Sequence, residues 1–110
     1  MRSKHTWSRP ARQAAQVLGL EVARARRERR WTAAELAERA GITAVTLRKV
    51  ERGDPTVSLG TVFEIATLVG INLFGAERSA LADLLEHGRN RLALLPASVR
   101  EPSGSLHDDF

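Results

Sequence analysis

TAAELAERAGITAVTLRKVERG, which begins at Thr32 and ends at Gly53, is the stretch that decides the fold. Thr32 followed three residues later by Glu35 is typical of a capping box, in which each side chain accepts a hydrogen bond from a free backbone N–H at the start of a helix. Gly41 ends that helix, because glycine readily adopts the left-handed conformation of a C-cap. Thr43 then caps a second helix, which ends before Gly53. The stretch therefore predicts two short helices joined by a tight glycine turn.

Helical periodicity continues on both sides of this stretch. Upstream, apolar residues at near-helical spacing predict a first helix over about residues 10–30. Downstream, Ser58 caps a fourth helix that ends at Gly70, and leucines over residues 76–95 predict a C-terminal amphipathic helix. The segment 71–74 could form a short strand or a helical turn. The fold class that we predict is all-α.

The charge and composition of the chain divide it into four segments. Residues 1–53 carry 13 Lys and Arg against 5 Asp and Glu, whereas residues 54–110 carry 4 against 8. The two halves therefore offer surfaces of opposite charge to their partners. We expect a flexible basic arm, a compact domain, a separate helix and a disordered acidic tail, at residues 1–9, 10–75, 76–95 and 96–110 respectively.

The same composition excludes several classes of function. The 110 residues include no cysteine, which removes disulfides, thiolate zinc sites and cysteine nucleophiles. His5, His87 and His107 lie far apart and lack the spacing of metal ligands. There is no nucleophile–base pattern, no glycine-rich phosphate loop and no apolar run near the ~18 residues of a membrane span. We expect no enzymatic activity, no metal, no cofactor and no membrane contact.

The second helix of the opening stretch has two different faces. At about 100° per residue, one arc is small or cationic and the opposite arc is mostly apolar. Such a helix can enter the major groove of DNA, which is about 12 Å wide, while its apolar face packs on the domain. Base contacts are then expected from the small or cationic arc, Ala44, Val45, Arg48 and Lys49. Phosphate contacts are expected from the residues around it, Arg39, Thr43, Thr46 and Arg52.

The opening stretch, together with SLGTVFEIATLVGI at residues 58–71, resembles the phage-repressor (Cro/C1, or XRE-type) helix-turn-helix family. The Leu-Ala pair, the turn glycine, the Glu-x-Gly exit and the following helix all fall in the family's register. The resemblance implies a five-helix DNA-binding domain, here with an extra C-terminal helix, and a buried ion pair between Arg26 and Glu51. We predict a homodimeric repressor of double-stranded operator DNA in a bacterial cytoplasm, associated with the nucleoid when it is bound to DNA.

The C-terminal run GRNRLALLPASVREPSGSLHDDF, residues 88–110, resembles the ends of HipB-like antitoxins. Such proteins are encoded beside HipA-type kinase toxins, repress their own operon and hold the toxin inactive. The resemblance implies that the chain is the antitoxin of a HipBA-like toxin–antitoxin module. The alternatives are a stand-alone regulator of the same helix-turn-helix family and a protein–protein interaction module on the same fold.

The leucines of the predicted C-terminal helix exceed what one small domain needs for its core. They could cover that core, pair two protomers or dock on a toxin. We expect a dimer or partner contact from four of them, Leu81, Leu84, Leu85 and Leu92.

The two tryptophans have different expected roles. Trp31 immediately precedes the Thr32 cap, where an apolar residue can pack on Leu36 as a hydrophobic staple. Trp7 falls in the basic arm, where it could reach an adjacent DNA groove or be disordered.

Overall fold

The computed structural model describes residues 6–99, and its regular elements are helical. The helices are α1 (Arg9–Glu28), α2 (Ala33–Ala40), α3 (Ala44–Arg52), α4 (Leu59–Leu68) and α5 (Leu81–Ala93), with a 3₁₀ turn at Arg78–Ala80 before α5. The all-α prediction is confirmed, and the C-terminal amphipathic helix is the fifth helix of the described chain. None of these helices combines the length and the apolar character needed to cross a membrane.

Side-chain caps define the helices on both sides of the glycine turn, as the sequence predicts. The Thr32 hydroxyl accepts the Glu35 N–H at 3.0 Å, and the Glu35 carboxylate accepts the Thr32 N–H at 2.7 Å. Gly41 follows α2 with a left-handed φ of 71°. These local hydrogen bonds satisfy backbone groups that a short helix would otherwise leave without partners.

The core of the first compact unit, which extends to Gly75, lies where α1, α2, α3 and α4 meet. Each helix contributes a narrow apolar stripe, so the short helices owe their stability mainly to packing on one another. Trp31 packs against this core cluster, which includes Leu36. The buried apolar residues are Val22, Ala25, Leu36, Ala37, Leu47, Val50, Ile65, Ala66 and Val69.

The connection after α4 is a turn, and the alternative of a short strand at 71–74 is wrong. Phe74 has a φ of 57° and Gly75 a φ of 69°. Two consecutive left-handed residues reverse the chain, so an extended strand cannot continue through them. The Phe74 ring contacts Phe63 of α4 edge to face, with ring centroids 6.0 Å apart, and this contact helps to hold a conformation that is unusual for a bulky residue.

The segment before α1 packs on the first unit from Trp7 onward. Trp7 is half-buried and lines an apolar groove with Leu18, Val57 and Phe63. Its carbonyl accepts a hydrogen bond from the Arg12 guanidinium at 2.7 Å. Of the expected flexible arm, residues 1–5 lie outside the described residues, as do residues 100–110 of the expected tail.

The second compact unit begins at Ala76 and contains α5. No residue of α5 is buried. Its N-cap residue, Ala80, offers no side-chain hydrogen bond, in contrast to the threonine and serine caps of α2, α3 and α4.

Candidate nucleic-acid interface

The helix α3 is fixed at both ends by local hydrogen bonds. The Thr43 hydroxyl oxygen accepts the Thr46 N–H at 3.1 Å, and the Thr43 hydroxyl donates to Thr46 Oγ1 at the same distance. Gly53 ends the helix with a left-handed φ of 81°. Just beyond it, the Asp54 carboxylate accepts hydrogen bonds from the hydroxyl and the N–H of Thr56, and these bonds lower the pKa of Asp54. The start, the end and the exit of α3 are therefore all held in place.

The two faces of α3 differ as the helical spacing predicts. Leu47 and Val50 are buried in the core. The exposed side carries four of the predicted DNA-contacting residues, Val45, Arg48, Lys49 and Arg52. Ala44 is half-buried and packs against the core, so its methyl group is less available than the sequence alone suggests.

The cations on the exposed side of α3 form no close ion pair, although the charges of Lys49 and Arg52 help to lower the pKa of the nearby Asp54. No ion pair within residues 6–99 involves Arg48, Lys49 or Arg52. By contrast, Arg24 on α1 pairs with both Glu21 and Glu28 at 2.6 and 3.0 Å, and these hydrogen bonds raise the pKa of Arg24. The positive charge of α3 is therefore left for a ligand, whereas the charge of Arg24 is neutralised within its own helix.

The inner side of α3 is tied to α1 by an ion pair between Arg26 and Glu51. Arg26 Nε donates to Glu51 Oε2 at 2.7 Å, and Arg26 Nη2 donates to Glu51 Oε1 at 3.1 Å. The remaining Arg26 Nη1 donates to the Trp31 carbonyl at 2.9 Å. The two side chains are only 11% and 14% exposed, and the hydrogen bonds that Arg26 donates to Glu51 raise the pKa of Arg26. A bidentate pair with so little solvent around it fixes the orientation of α3.

Close backbone packing between α1 and α3 adds to this restraint. A Cβ atom on Gly19 would overlap the Val50 carbonyl oxygen and would lie 2.7 Å from the Glu51 carbonyl oxygen. A Cβ on Gly53 would lie 2.6 Å from the Cα of Gln16. Sequence reasoning missed Gly19, although a glycine in the middle of a helix is itself an indication of a close approach.

Two arginines stack on Trp31 beside the start of α2. The guanidinium carbon of Arg39 lies 4.3 Å from the centroid of the indole, and that of Arg29 lies 5.6 Å from it. Neither arginine has an ion pair within the described residues. A stacked guanidinium keeps its N–H edge free to donate, and this geometry suits phosphate oxygens. The sequence pattern predicted a phosphate contact for Arg39 but missed the stacking.

The predicted dimer or partner residues lie in the second unit. Leu84, Leu85 and Leu92 are 43%, 55% and 69% exposed, and Leu81 is half-buried. The structure therefore leaves an apolar surface on α5 without a cover in the described chain.

Residues 22–74 match the family model described as Helix-turn-helix (HTH_3). This segment, just under half of the chain, is similar to helix-turn-helix domains. The matched residues include the Arg26–Glu51 pair and all of α2, α3 and α4. The match supports the Cro/C1, or XRE-type, class of helix-turn-helix and a DNA-binding transcriptional regulator. No curated protein matches the chain.

Proposed function

We propose that this helix-turn-helix protein is a sequence-specific transcriptional repressor that reads operator DNA with α3. The observation that carries the proposal is the contrast between the two sides of this helix. The inner side is held by core packing and by the Arg26–Glu51 pair, whereas the outer side presents cations that form no ion pair within residues 6–99. A rigid helix with an unpaired cationic face is the element that major-groove recognition requires.

The side chains of the outer face divide into two roles. Arg48 and Lys49 donate to the O6 and N7 atoms of guanine, and Val45 contacts a thymine methyl group, with a smaller contribution from Ala44. Phosphate contacts come from Thr43, Thr46, Arg39 and Arg52, which surround this group. The exposure of Val45, Arg48 and Lys49 supports the base-reading role, and the stacking of Arg39 on Trp31 supports its phosphate role.

The proposal includes a homodimer that places two copies of α3 in successive major grooves. The half-sites would then be about 34–36 Å apart, or a multiple of this distance. A fluorescence anisotropy titration tests it, with the full chain, a labelled duplex from the DNA upstream of its own gene and a shuffled duplex of equal length. We expect binding to the upstream duplex to be at least about a thousandfold tighter than to the shuffled duplex. Equal affinities near 10⁻⁴–10⁻⁶ M at physiological salt would refute sequence-specific recognition.

A more specific form of the function is the antitoxin of a HipBA-like module. Two features favour a protein partner in addition to DNA: the apolar surface of α5 and the excess of acidic residues after residue 53. The expected partner is a HipA-type kinase encoded beside this protein. Co-expression and pull-down with the product of the neighbouring gene test this form. If the product of the neighbouring gene is unlike a kinase, the antitoxin role is refuted and the alternative is a stand-alone regulator.

The rival function is a protein-binding module that uses the helix-turn-helix only as a scaffold. The cationic outer face of α3 argues against it, because the centre of a protein-docking surface is usually depleted of charge. The salt dependence of binding separates the two functions. DNA binding requires that log K fall linearly with log salt, because each neutralised phosphate releases counterions.

A further inference from the structure

The helix α5 presents an apolar stripe that is half-buried at Leu81 and otherwise exposed in the described part of the chain. At about 100° per residue its leucines fall within an arc of roughly 100°, and the stripe continues to Leu95 through a tightened last turn in which the Leu95 N–H donates to the Leu92 carbonyl. The stripe consists of Leu81, Leu84, Leu85, Leu92 and Leu95. An isolated helix of 13 residues is marginally stable in water, so α5 needs a surface that covers this stripe.

Gly88 lies at the centre of the stripe, and four of the five leucines are arranged evenly around it. Leu84 and Leu92 lie four residues before and after Gly88, and Leu81 and Leu95 lie seven residues before and after it. If the helix is turned end over end about Gly88, each of these four leucines takes the level of another leucine, whereas Leu85 takes the level of Arg91. The stripe is therefore complementary to a second copy of itself in the antiparallel direction.

Within the described residues, no neighbour packs closely against Gly88. A Cβ atom at this position would meet no heavy atom within 4 Å. Glycine inside a helix costs about 1 kcal/mol relative to alanine. A close approach by another molecule explains a glycine at position 88, because the absence of a side chain allows two helices to cross at short distance.

The charges of α5 also favour the antiparallel direction. Both acidic residues, Asp83 and Glu86, precede Gly88, and both arginines, Arg89 and Arg91, follow it. Asp83 and Glu86 lie on the side of α5 opposite the stripe, so they form no direct pair across the contact. The antiparallel direction is favoured only at longer range, because it keeps the like-charged halves of the two helices apart.

We propose that α5 pairs with α5 of a second copy of this chain in antiparallel orientation, with Gly88 at the two-fold axis. Leu84 of one copy then packs against Leu92 of the partner subunit, and Leu81 packs against Leu95 of the partner subunit. This pairing rests on the homodimer of the proposed function and specifies its interface.

Cysteine cross-linking tests the direction and the register of the pairing. The chain contains no cysteine, so each introduced thiol is the only one in its protomer. A disulfide requires Cα atoms about 4.4–6.8 Å apart. The two copies of residue 84 are separated by about 12 Å along the antiparallel pair, since each residue advances the helix by about 1.5 Å. We therefore expect mild oxidation to cross-link a mixture of Leu84→Cys and Leu92→Cys chains, and to leave either variant alone uncross-linked. Cross-linking of a single variant with itself, or no cross-linking of the mixture, would overturn the proposal.

A substitution of Gly88 tests the crossing point. Gly88→Gln places a long side chain at the axis, and Asn90→Gln places the same side chain on the opposite face of α5. We expect Gly88→Gln to raise the dimer dissociation constant about tenfold or more in sedimentation equilibrium, because overpacking separates the helices. Helix content measured by circular dichroism stays equal or rises, since glutamine is a better helix former than glycine. Asn90→Gln leaves the dissociation constant unchanged. An unchanged constant for Gly88→Gln would exclude Gly88 from the axis.

The unmodified chain separates failure of this interface from failure of the proposed function. A dimer that binds its upstream duplex specifically but gives the wrong cross-links refutes the α5 pairing alone. A chain that gives the expected cross-links but does not distinguish the upstream from the shuffled duplex refutes the repressor and retains the pairing. If the unmodified chain is a monomer at about 10 μM, roughly ten times a micromolar dissociation constant, both the pairing and the dimeric repressor are refuted.

Discussion

The helices α3 and α5 are both amphipathic, but the core buries residues of α3 and no residue of α5 is buried. The nine-residue α3 buries its apolar face in the core and leaves its cationic face to solvent, whereas the thirteen-residue α5 buries no residue and leaves its apolar face uncovered. An exposed face that remains cationic after folding indicates a charged ligand, and an exposed face that remains apolar indicates another protein surface. The face that stays exposed after packing, rather than the amphipathic pattern alone, therefore indicates what each helix binds.

The largest expected effect comes from the restraint that α3 has and α5 lacks. Arg26→Gln leaves the Glu51 carboxylate almost enclosed and without its cation, so we expect the free energy of unfolding to fall by about 3–4 kcal/mol in urea denaturation. Arg24→Gln is the matched control, because it removes two exposed ion pairs from the same helix and should cost no more than about 1 kcal/mol. Similar losses for the two variants would mean that the Arg26–Glu51 pair does not hold α3.

The close contact of Gly19 in α1 with the backbone of α3 gives a second test of the restraint on α3. Gly19→Ala forces a methyl group into the Val50 and Glu51 carbonyl groups of α3, and we expect it to lower the free energy of unfolding by about 2–3 kcal/mol. Gly60→Ala in α4 is the control, because its Cβ meets nothing within 4 Å and the better helix former should raise stability by up to about 1 kcal/mol. Thermal unfolding of the two variants measures the difference. A stable Gly19→Ala protein would show that α1 and α3 are not in close backbone contact.

The sequence predicts α2 and α3 well because their boundaries depend on local chemistry. The Thr32–Glu35 box, Gly41 and Thr43 each act within four residues, so their spacing alone indicates where the helices begin and end. Gly19 depends on a contact with a helix some 30 residues away, and a single sequence does not identify that neighbour. Phe74 is a similar case, since its left-handed φ depends on its contact with Phe63 and on the glycine that follows.

The same difference between local and long-range interactions applies to the candidate site. The outer arc of α3 follows from helical spacing, whereas the ion pair to Arg26 came from a family resemblance, since its two residues are 25 positions apart. The stacking of Arg39 on Trp31 had no local indication, because it joins residues at opposite ends of α2. For α5 the sequence shows the apolar stripe but does not identify what covers it.

The exposed face of α3 should respond differently at neighbouring positions. We expect Lys49→Ala to weaken binding to the upstream duplex by about 2 kcal/mol and to relax the preference for one base pair, because Lys49 donates to a base edge. Arg52→Ala should weaken binding to upstream and shuffled duplexes equally and reduce the salt slope by about one, as loss of a phosphate contact does. Anisotropy titrations at several salt concentrations measure both effects. Unfolding should be unchanged in both variants, since both side chains are exposed. If Lys49→Ala weakened binding to both duplexes equally, Lys49 would be a phosphate contact and not a base contact.

The exposed face of α5 permits the most closely matched pair of variants, Leu92→Ala and Leu94→Ala. Both leucines are largely exposed, at 69% and 85%, but at about 100° per residue Leu94 lies roughly opposite the apolar stripe to which Leu92 belongs. A two-fold dimer contains each substitution twice, so we expect Leu92→Ala to raise the dimer dissociation constant about tenfold, or about 1.4 kcal/mol, and Leu94→Ala to leave it unchanged. Sedimentation equilibrium measures both constants. Exposure alone would predict the larger effect for Leu94, so an effect confined to Leu92 would show that the face of α5, and not its general hydrophobicity, drives association. Equal effects would instead indicate non-specific apolar contact, and the difference between α3 and α5 would then lie only in how much of each helix the core can bury.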